Sequence, residues 1–169
     1  MDRSAVAFGA TLFIILAVLT SFGSSKAGKP DVNGAVAVAL RHHLTDFLEV
    51  DIEGKDAFLG PLVLCIGSKV PLRMEALQGD LAEAIVQVVP DSSCSSETVE
   101  GDFGMFTTLT KYYDATGREA GHLEVADVSC SSTRTCVVDI DSFSSGERYI
   151  VRREGRTWSI VERRMRWVV

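Results

Sequence analysis

Apolar positions in the first half of the chain follow a helical period in one segment and form short continuous runs in two others. The residues that recur at the helical period are Val36, Leu40, Leu44, Phe47 and Leu48. This stripe predicts an amphipathic helix over residues 34–50, capped by Asp31 or Asn33. The runs PLVLCIG and IVQVVP predict two buried strands. Between them, VPLRMEALQGDLAEA predicts a shorter second helix that is weakened by Gly79.

From Phe106 onward the pattern changes to a period of two residues, which is typical of strands. FTTLTKYY is the first of these strands, and DATG predicts the turn that ends it. Four more strands are predicted near residues 118–129, 135–142, 147–153 and 157–168. Their short connections predict an antiparallel meander, whereas the Ser-rich segment 91–102 predicts a loop. We therefore expect an α+β fold in which the first helix, and the shorter second one, pack on the meander.

The last predicted strand alternates between apolar and charged residues. The face that we expect to be buried consists of Val161, Met165, Trp167 and Val169. The face that we expect to be exposed consists of Glu162, Arg164 and Arg166. Because Arg163 interrupts the apolar face, we expect it either to reach solvent at the sheet edge or to pair with an acidic residue.

The N-terminal segment has the layout of a secretory signal peptide, residues 1–27. Arg3 precedes an apolar core, and Ser25 and Ala27 occupy the −3 and −1 positions of a cleavage site. An uncleaved membrane anchor is the alternative, because residues 5–22 are near the lower limit for spanning a bilayer. In either case we expect residues 28–169 to form a single α+β domain outside the cytosol. That domain is secreted or periplasmic if the signal is cleaved.

The cysteines all lie in this exported part, at Cys65, Cys94, Cys130 and Cys136. An even number of cysteines in an oxidising compartment favours disulfides, and proximity along the chain favours Cys65–Cys94 and Cys130–Cys136 among the three possible pairings. The second pair lacks the C-x2-C spacing of a metal clip. It also has Cys136 where a phosphate-binding C-x5-R loop requires arginine. We therefore interpret it as a staple in a hairpin whose tip contains Arg134.

Charge is distributed unevenly along the exported part. Residues 28–147 have a net charge of −12, whereas residues 148–169 contain seven arginines and two glutamates. The acidic total, with a pI near 5.1, argues against binding to nucleic acid. The basic segment either pairs with acidic neighbours in the same domain or contacts a partner. The candidate residues for a partner surface are Arg134, Arg152, Arg153, Arg163 and Arg164.

Two sets of residues have the chemistry of a catalytic or metal site. His42, Asp46 and Glu49 share one face of the predicted helix, a spacing that can present imidazole and carboxylate together. An exposed amphipathic helix produces the same pattern without any such role. His122 could belong to a triad, but the chain has no G-x-S-x-G motif and its serines cluster in turns. We therefore predict no catalytic residue, no metal and no cofactor.

The chain resembles a group of uncharacterised exported bacterial proteins. The similar segments are LVLCIG, VVPDSSC, TGREAG and YIVRREGRTWSIVERRMRWV, within residues 58–169. These motifs consist of structural residues, so the resemblance implies export and a fold but no activity. The final Tyr, Gly and Trp hairpin is also loosely similar to the last strands of cystatin-like and nuclear-transport-factor-like α+β cups.

These observations favour a non-catalytic secreted or periplasmic protein that binds an unknown protein or small ligand. A membrane contact is expected only if the N-terminal segment stays uncleaved. One alternative is a small extracytoplasmic hydrolase that uses His122 or the His42, Asp46 and Glu49 face. Another is an inhibitor or immunity-type protein that acts through its loop tips. A deep pocket that joins a histidine to carboxylates would favour the enzyme. A shallow concavity lined by Tyr112, Tyr113 and Trp158 would favour ligand binding.

Overall fold

The computed structural model of the protein describes residues 28–51, 62–81, 86–103 and 106–169. The predicted signal peptide therefore lies outside the described residues. The helices are α1 (Val32–Asp51) and α2 (Met74–Asp80). The strands are β1 (Leu62–Ser68), β2 (Val86–Pro90), β3 (Ser95–Phe103), β4 (Phe106–Tyr113), β5 (Glu119–Ser132), β6 (Thr135–Asp141), β7 (Ser145–Glu154) and β8 (Thr157–Val168). None of the helices in this part of the chain is long and apolar enough to cross a membrane.

The main sheet has the strand order β2-β1-β5-β6-β7-β8. Strands β5 to β8 form consecutive antiparallel pairs, as the short predicted turns require. Strand β1, in contrast, is parallel to both β2 and β5, with α2 connecting β1 to β2. The α+β class and the antiparallel part of the sheet are therefore confirmed, and two parallel strands extend the sheet beyond the predicted meander.

Strand β4 pairs with β5 at only two positions, Tyr112 with Ala120 and Tyr113 with Glu119. Its main partner is β3, which lies where the sequence predicted a loop. That prediction was wrong because the side chains of β3 that the structure describes are almost all exposed, so neither face produces an apolar alternation. A short 3-10 helix, Asp91–Ser93, precedes β3.

Helix α1 begins as predicted, because the Asp31 carboxylate accepts a hydrogen bond from the backbone N–H of Gly34 at 3.2 Å. The predicted apolar residues Val36, Leu40 and Leu44 are buried, whereas the side chains of Phe47 and Leu48 lie outside the described residues. The buried side chains of α1 belong to the same hydrophobic cluster as residues of β6 and β7, such as Val138 and Tyr149. This cluster is the core of the described part of the chain.

The prediction for the last strand was wrong in its apolar half. Val161, Met165 and Val169 are 50%, 64% and 59% exposed, and Trp167 is 38% exposed. The physical reason is the position of β8 at the edge of the sheet, where the strand has a neighbour on one side only. Trp158, at the start of β8, is the residue of this strand that is buried.

Both predicted disulfides are present, Cys65–Cys94 and Cys130–Cys136. The first connects β1 to the residue that follows the 3-10 helix, and the second joins β5 to β6 across a paired position. Because disulfides form and persist in oxidising compartments, they indicate an extracytoplasmic environment.

Candidate functional site

The turn between β4 and β5 brings Tyr112 and His122 together. Asp114 follows β4, and its carboxylate accepts hydrogen bonds from the backbone N–H groups of Thr116 at 2.8 Å and Arg118 at 3.0 Å. The side-chain hydrogen bond from Thr116 is the main cause of a strongly lowered pKa of Asp114. Gly117 has φ 80°, which a residue without a side chain adopts at no steric cost. The turn therefore fixes the register in which Tyr112 lies opposite Ala120.

His122 lies two residues beyond Ala120, on the same face of β5, and is thus the diagonal neighbour of Tyr112. The two rings are stacked, with 4.1 Å between their centroids and 8° between their planes. Each ring therefore shields one face of the other from water. The pair forms an aromatic wall at the junction of β4 and β5.

The Asp91 carboxylate contacts the His122 ring at Nε2. His122 Nε2 lies 3.2 Å from Asp91 Oδ1, although Asp91 follows β2 and His122 belongs to β5. Strand β1 separates these two strands in the sheet, and Gly67 of β1 lies beneath the contact. A Cβ atom at Gly67 would be 3.6 Å from His122 Nε2 and would overlap the Glu124 carboxylate. The absence of a side chain at Gly67 therefore allows Asp91, which follows β2, and the side chains of β5 to meet above β1.

Glu124 lies between two surface grooves. The Tyr112 groove, with a volume of about 420 Å³, is lined by Tyr112, His122 and Glu124 together with Phe143. The Asp91 groove, with a volume of about 510 Å³, is lined by Gly67, Asp91 and Glu124. The Glu124 carboxylate has no hydrogen bond or ion pair with any residue in the part of the chain that the structure describes. It is therefore available to a ligand in either groove.

The local electrostatics favour a positive charge in these grooves. Burial raises the pKa of Tyr112, and the carboxylates of Asp91 and Glu124 raise it further because they disfavour the phenolate. Tyr112 thus stays neutral over the physiological range. At the rim, Lys111 Nζ lies 3.8 Å from Glu119 Oε2, so this lysine is already neutralised by a neighbour. Glu124 has no such cationic neighbour among the described residues.

The structure joins His122 to a carboxylate, as an acid–base site requires. The groove around it is open, however, and among the described residues no serine, threonine or cysteine side chain is hydrogen-bonded to His122. Nucleophilic hydrolysis needs such a group within hydrogen-bond reach of its base.

The other predicted set, His42 with Asp46 and Glu49, stays a prediction because it extends beyond the described residues. The side chains of Asp46 and Glu49 lie outside them, and the His42 ring lies 5.8 Å from the Tyr149 ring, measured between centroids. The next residue, His43, is buried instead and contacts Glu147 and Tyr149. Within the described ranges, no group of three or more histidine, cysteine, aspartate or glutamate side chains is placed to hold a metal ion.

The predicted partner arginines separate into two groups. Arg163 pairs with Glu147, and Arg164 pairs with Glu162. Of the two alternatives predicted for Arg163, the structure therefore has the pairing with an acidic residue. Arg134, Arg152 and Arg153 have no acidic partner among the described residues. They lie at the opposite end of the sheet from the C-terminal half of β8, beside the second disulfide.

Sequence reasoning placed Tyr112 in a possible concavity with Tyr113 and Trp158. The structure places Tyr112 in a groove, but Trp158 packs at the start of α1, where its indole N–H lies 3.4 Å from Asp31 Oδ2. Asp91, Glu124 and Gly67 were missed. The one local signal was a glycine inside an otherwise apolar strand, LVLCIG, which is typical of a close approach by another group.

Comparison of the chain with protein-family models, with curated proteins and with solved structures found no match. The resemblance to exported bacterial proteins and to cystatin-like cups therefore stays a prediction.

Proposed function

We propose that this protein is an exported, non-catalytic binding protein that holds a small ligand with a cationic group in the Tyr112 groove. The observation that supports this function best is the position of Glu124, a carboxylate without a partner among the described residues, beside the stacked rings of Tyr112 and His122. An ammonium or guanidinium group would satisfy that carboxylate. The aromatic wall would contact the apolar part of the same ligand.

The rest of the fold supports this role as a rigid scaffold. We propose that α1 packs across the meander, an arrangement supported by the hydrogen bond from His43 on α1 to Glu147 on β7 at 3.1 Å. The disulfide Cys65–Cys94 ties the segment of Asp91 to β1. A site whose parts are fixed before binding loses less conformational entropy when the ligand enters.

Export is part of the proposal. The two disulfides and the signal-peptide pattern of residues 1–27 support a secreted or periplasmic protein. N-terminal sequencing of protein recovered from outside the cytosol tests this, with cleavage after Ala27 expected. An intact N-terminus in the membrane fraction would instead support the anchored alternative.

The ligand class is tested by titrating the purified protein with spermidine, arginine and choline, each beside a neutral analogue of similar size. We expect saturable shifts of the His122 ring signals in NMR spectra with at least one cation, because the ligand would lie against that ring. The shifts should disappear in Glu124→Gln, which keeps the side-chain shape and removes the charge. Glu97→Gln on β3 is the matched control and should leave them unchanged. Equal shifts with the neutral analogues, or no shift with any cation, would count against the proposal.

A second candidate function, a small hydrolase, is supported by the 3.2 Å contact between His122 and Asp91. A carboxylate can orient an imidazole so that the imidazole acts as a general base. In such a hydrolase the nucleophile that His122 activates would come from solvent, as a water molecule does. Turnover of model esters that is lost in both His122→Asn and Asp91→Asn would favour this candidate. Binding without turnover favours the non-catalytic one.

A further inference from the structure

The seven arginines of residues 148–169 separate by their surroundings. Four of them form ion pairs with acidic residues: Arg148, Arg163, Arg164 and Arg166. Three others, Arg152, Arg153 and Arg156, have no acidic partner among the described residues. Charge pairing within the domain therefore accounts for one group of arginines and leaves the other unexplained.

The arginines without an acidic partner collect at one end of the sheet. Arg152 lies opposite Thr135 in the pairing of β6 with β7, and the backbone N–H of Arg153 donates to the carbonyl oxygen of Arg134 at 2.7 Å. Arg134 and Arg156 lie in the two neighbouring turns, and both are exposed, as is Arg152. Arg153 Nε is buried and has no hydrogen-bond partner among the described residues. We call residues 131–135 and 152–156 the stapled tip.

The stapled tip is opposite in charge to the rest of the domain. It contains four arginines and one glutamate, Glu154, a net charge of +3. Residues 28–169 contain 15 basic and 22 acidic side chains, a net charge of −7, so the remainder has −10. Such a separation orients the molecule during encounter, with the tip leading toward a negative surface.

The tip is also held rigid. The disulfide Cys130–Cys136 joins the strands on either side of the turn that contains Arg134. Gly155 has φ 61°, so the adjacent turn has a defined conformation that favours glycine. A partner would therefore meet arginines whose backbone positions are already fixed.

We propose that the stapled tip is a docking surface for an acidic protein, whose aspartate and glutamate carboxylates pair with Arg134, Arg152 and Arg156. The planar guanidinium group donates two parallel hydrogen bonds to one carboxylate, which favours carboxylate partners for arginine. The tip segments contain only serine, threonine, arginine, glutamate and glycine. Stable membrane binding requires an inserted apolar group in addition to a basic patch. The tip has no apolar side chain that could insert.

The test measures binding of the purified protein to poly-L-glutamate by fluorescence anisotropy at two salt concentrations. The variant Arg134→Glu/Arg152→Glu/Arg156→Glu is compared with the wild type. The control Lys29→Glu/Lys69→Glu/Arg73→Glu changes three exposed cations outside the tip and has the same net charge. We expect the tip variant to bind at least about tenfold more weakly than the control, a difference of about 1.4 kcal/mol.

Two outcomes overturn the proposal. Equal weakening in the tip variant and the control would show that only the total charge matters. Binding to vesicles that contain phosphatidylglycerol, without binding to poly-L-glutamate, would identify a lipid surface instead. If the charge-reversal variant fails to form both disulfides, Arg134→Gln/Arg152→Gln/Arg156→Gln replaces it. The same comparison then uses Lys29→Gln/Lys69→Gln/Arg73→Gln as the control.

Discussion

His43 on α1 and Glu147 on β7 are joined through a buried hydrogen bond of 3.1 Å, between Nδ1 of the histidine and Oε2 of the glutamate. Glu147 also accepts hydrogen bonds from the Tyr149 hydroxyl and from the Arg163 guanidinium. One carboxylate thus connects α1, β7 and β8. Burial raises the pKa of Tyr149, and its hydrogen bond to Glu147 raises it further, so the phenol stays protonated as a donor.

Stability should fall in mild acid because of His43. Burial lowers the pKa of His43 below its ordinary value of 6.5, although Glu147 opposes the shift. The unfolded chain therefore binds a proton before the folded one does as the pH falls below about 6.5, and the free energy of unfolding decreases. Urea unfolding between pH 7.5 and 5.5 measures this slope. We expect a flatter slope in His43→Asn. A His43→Asn profile parallel to that of the wild type would contradict the assignment.

Replacing Glu147 by glutamine should destabilise the fold by about 1–3 kcal/mol, since it leaves buried donors with a weaker acceptor. Arg163 is partly exposed, with a side chain 38% accessible, so water offsets some of the loss. A double-mutant cycle of Glu147→Gln with Arg163→Gln isolates the pair. We expect a coupling energy of about 0.5–2 kcal/mol from denaturant unfolding. A Glu162→Gln and Arg164→Gln cycle on the exposed face should give less, and a larger value there would contradict this ranking.

Local patterns in the sequence were sufficient for α1, for strands β5 to β8 and for both disulfides. Asp31 caps α1 and Gly155 adopts a turn conformation, each decided within a few residues of the chain. The cysteine pairs are close along the chain as well as in space, 29 and 6 residues apart. Short sequence separation is what made these features predictable.

The missed features depend on contacts between distant segments. The parallel pairing of Cys65 in β1 with His122 in β5 leaves no trace in either strand's own pattern. The meeting of Asp91, His122 and Glu124 above Gly67 follows from that pairing. The exposure of Met165 likewise depends on β8 being an edge strand, which the alternation of its residues does not reveal.

Removing the two disulfides should destabilise the protein unequally. In the chain-entropy model, the 29-residue loop of Cys65–Cys94 contributes roughly 3–4 kcal/mol and the 6-residue loop of Cys130–Cys136 about 2 kcal/mol. Double serine variants of each pair, unfolded in urea without reductant, test this order. The intact mass of the wild type should lie about 4 Da below that of the reduced chain, since each bond removes two hydrogens. A greater loss from Cys130→Ser/Cys136→Ser would show that the entropy of the unfolded chain is not the main effect.

Gly67→Ala should change the candidate site while leaving the fold intact. The new Cβ would overlap the end of the Glu124 side chain, which is flexible and can move aside, so we expect less than about 1 kcal/mol of destabilisation. The displaced carboxylate should change the NMR signals of the His122 ring, which also lies close to the new methyl group.

Gly79→Ala is the matched control, because a Cβ there meets nothing within 4 Å. It should leave the His122 signals unchanged and, as a glycine replaced within a helix, should stabilise α2 by up to about 1 kcal/mol. Unchanged His122 signals in Gly67→Ala would mean that Glu124 and His122 do not meet above this glycine.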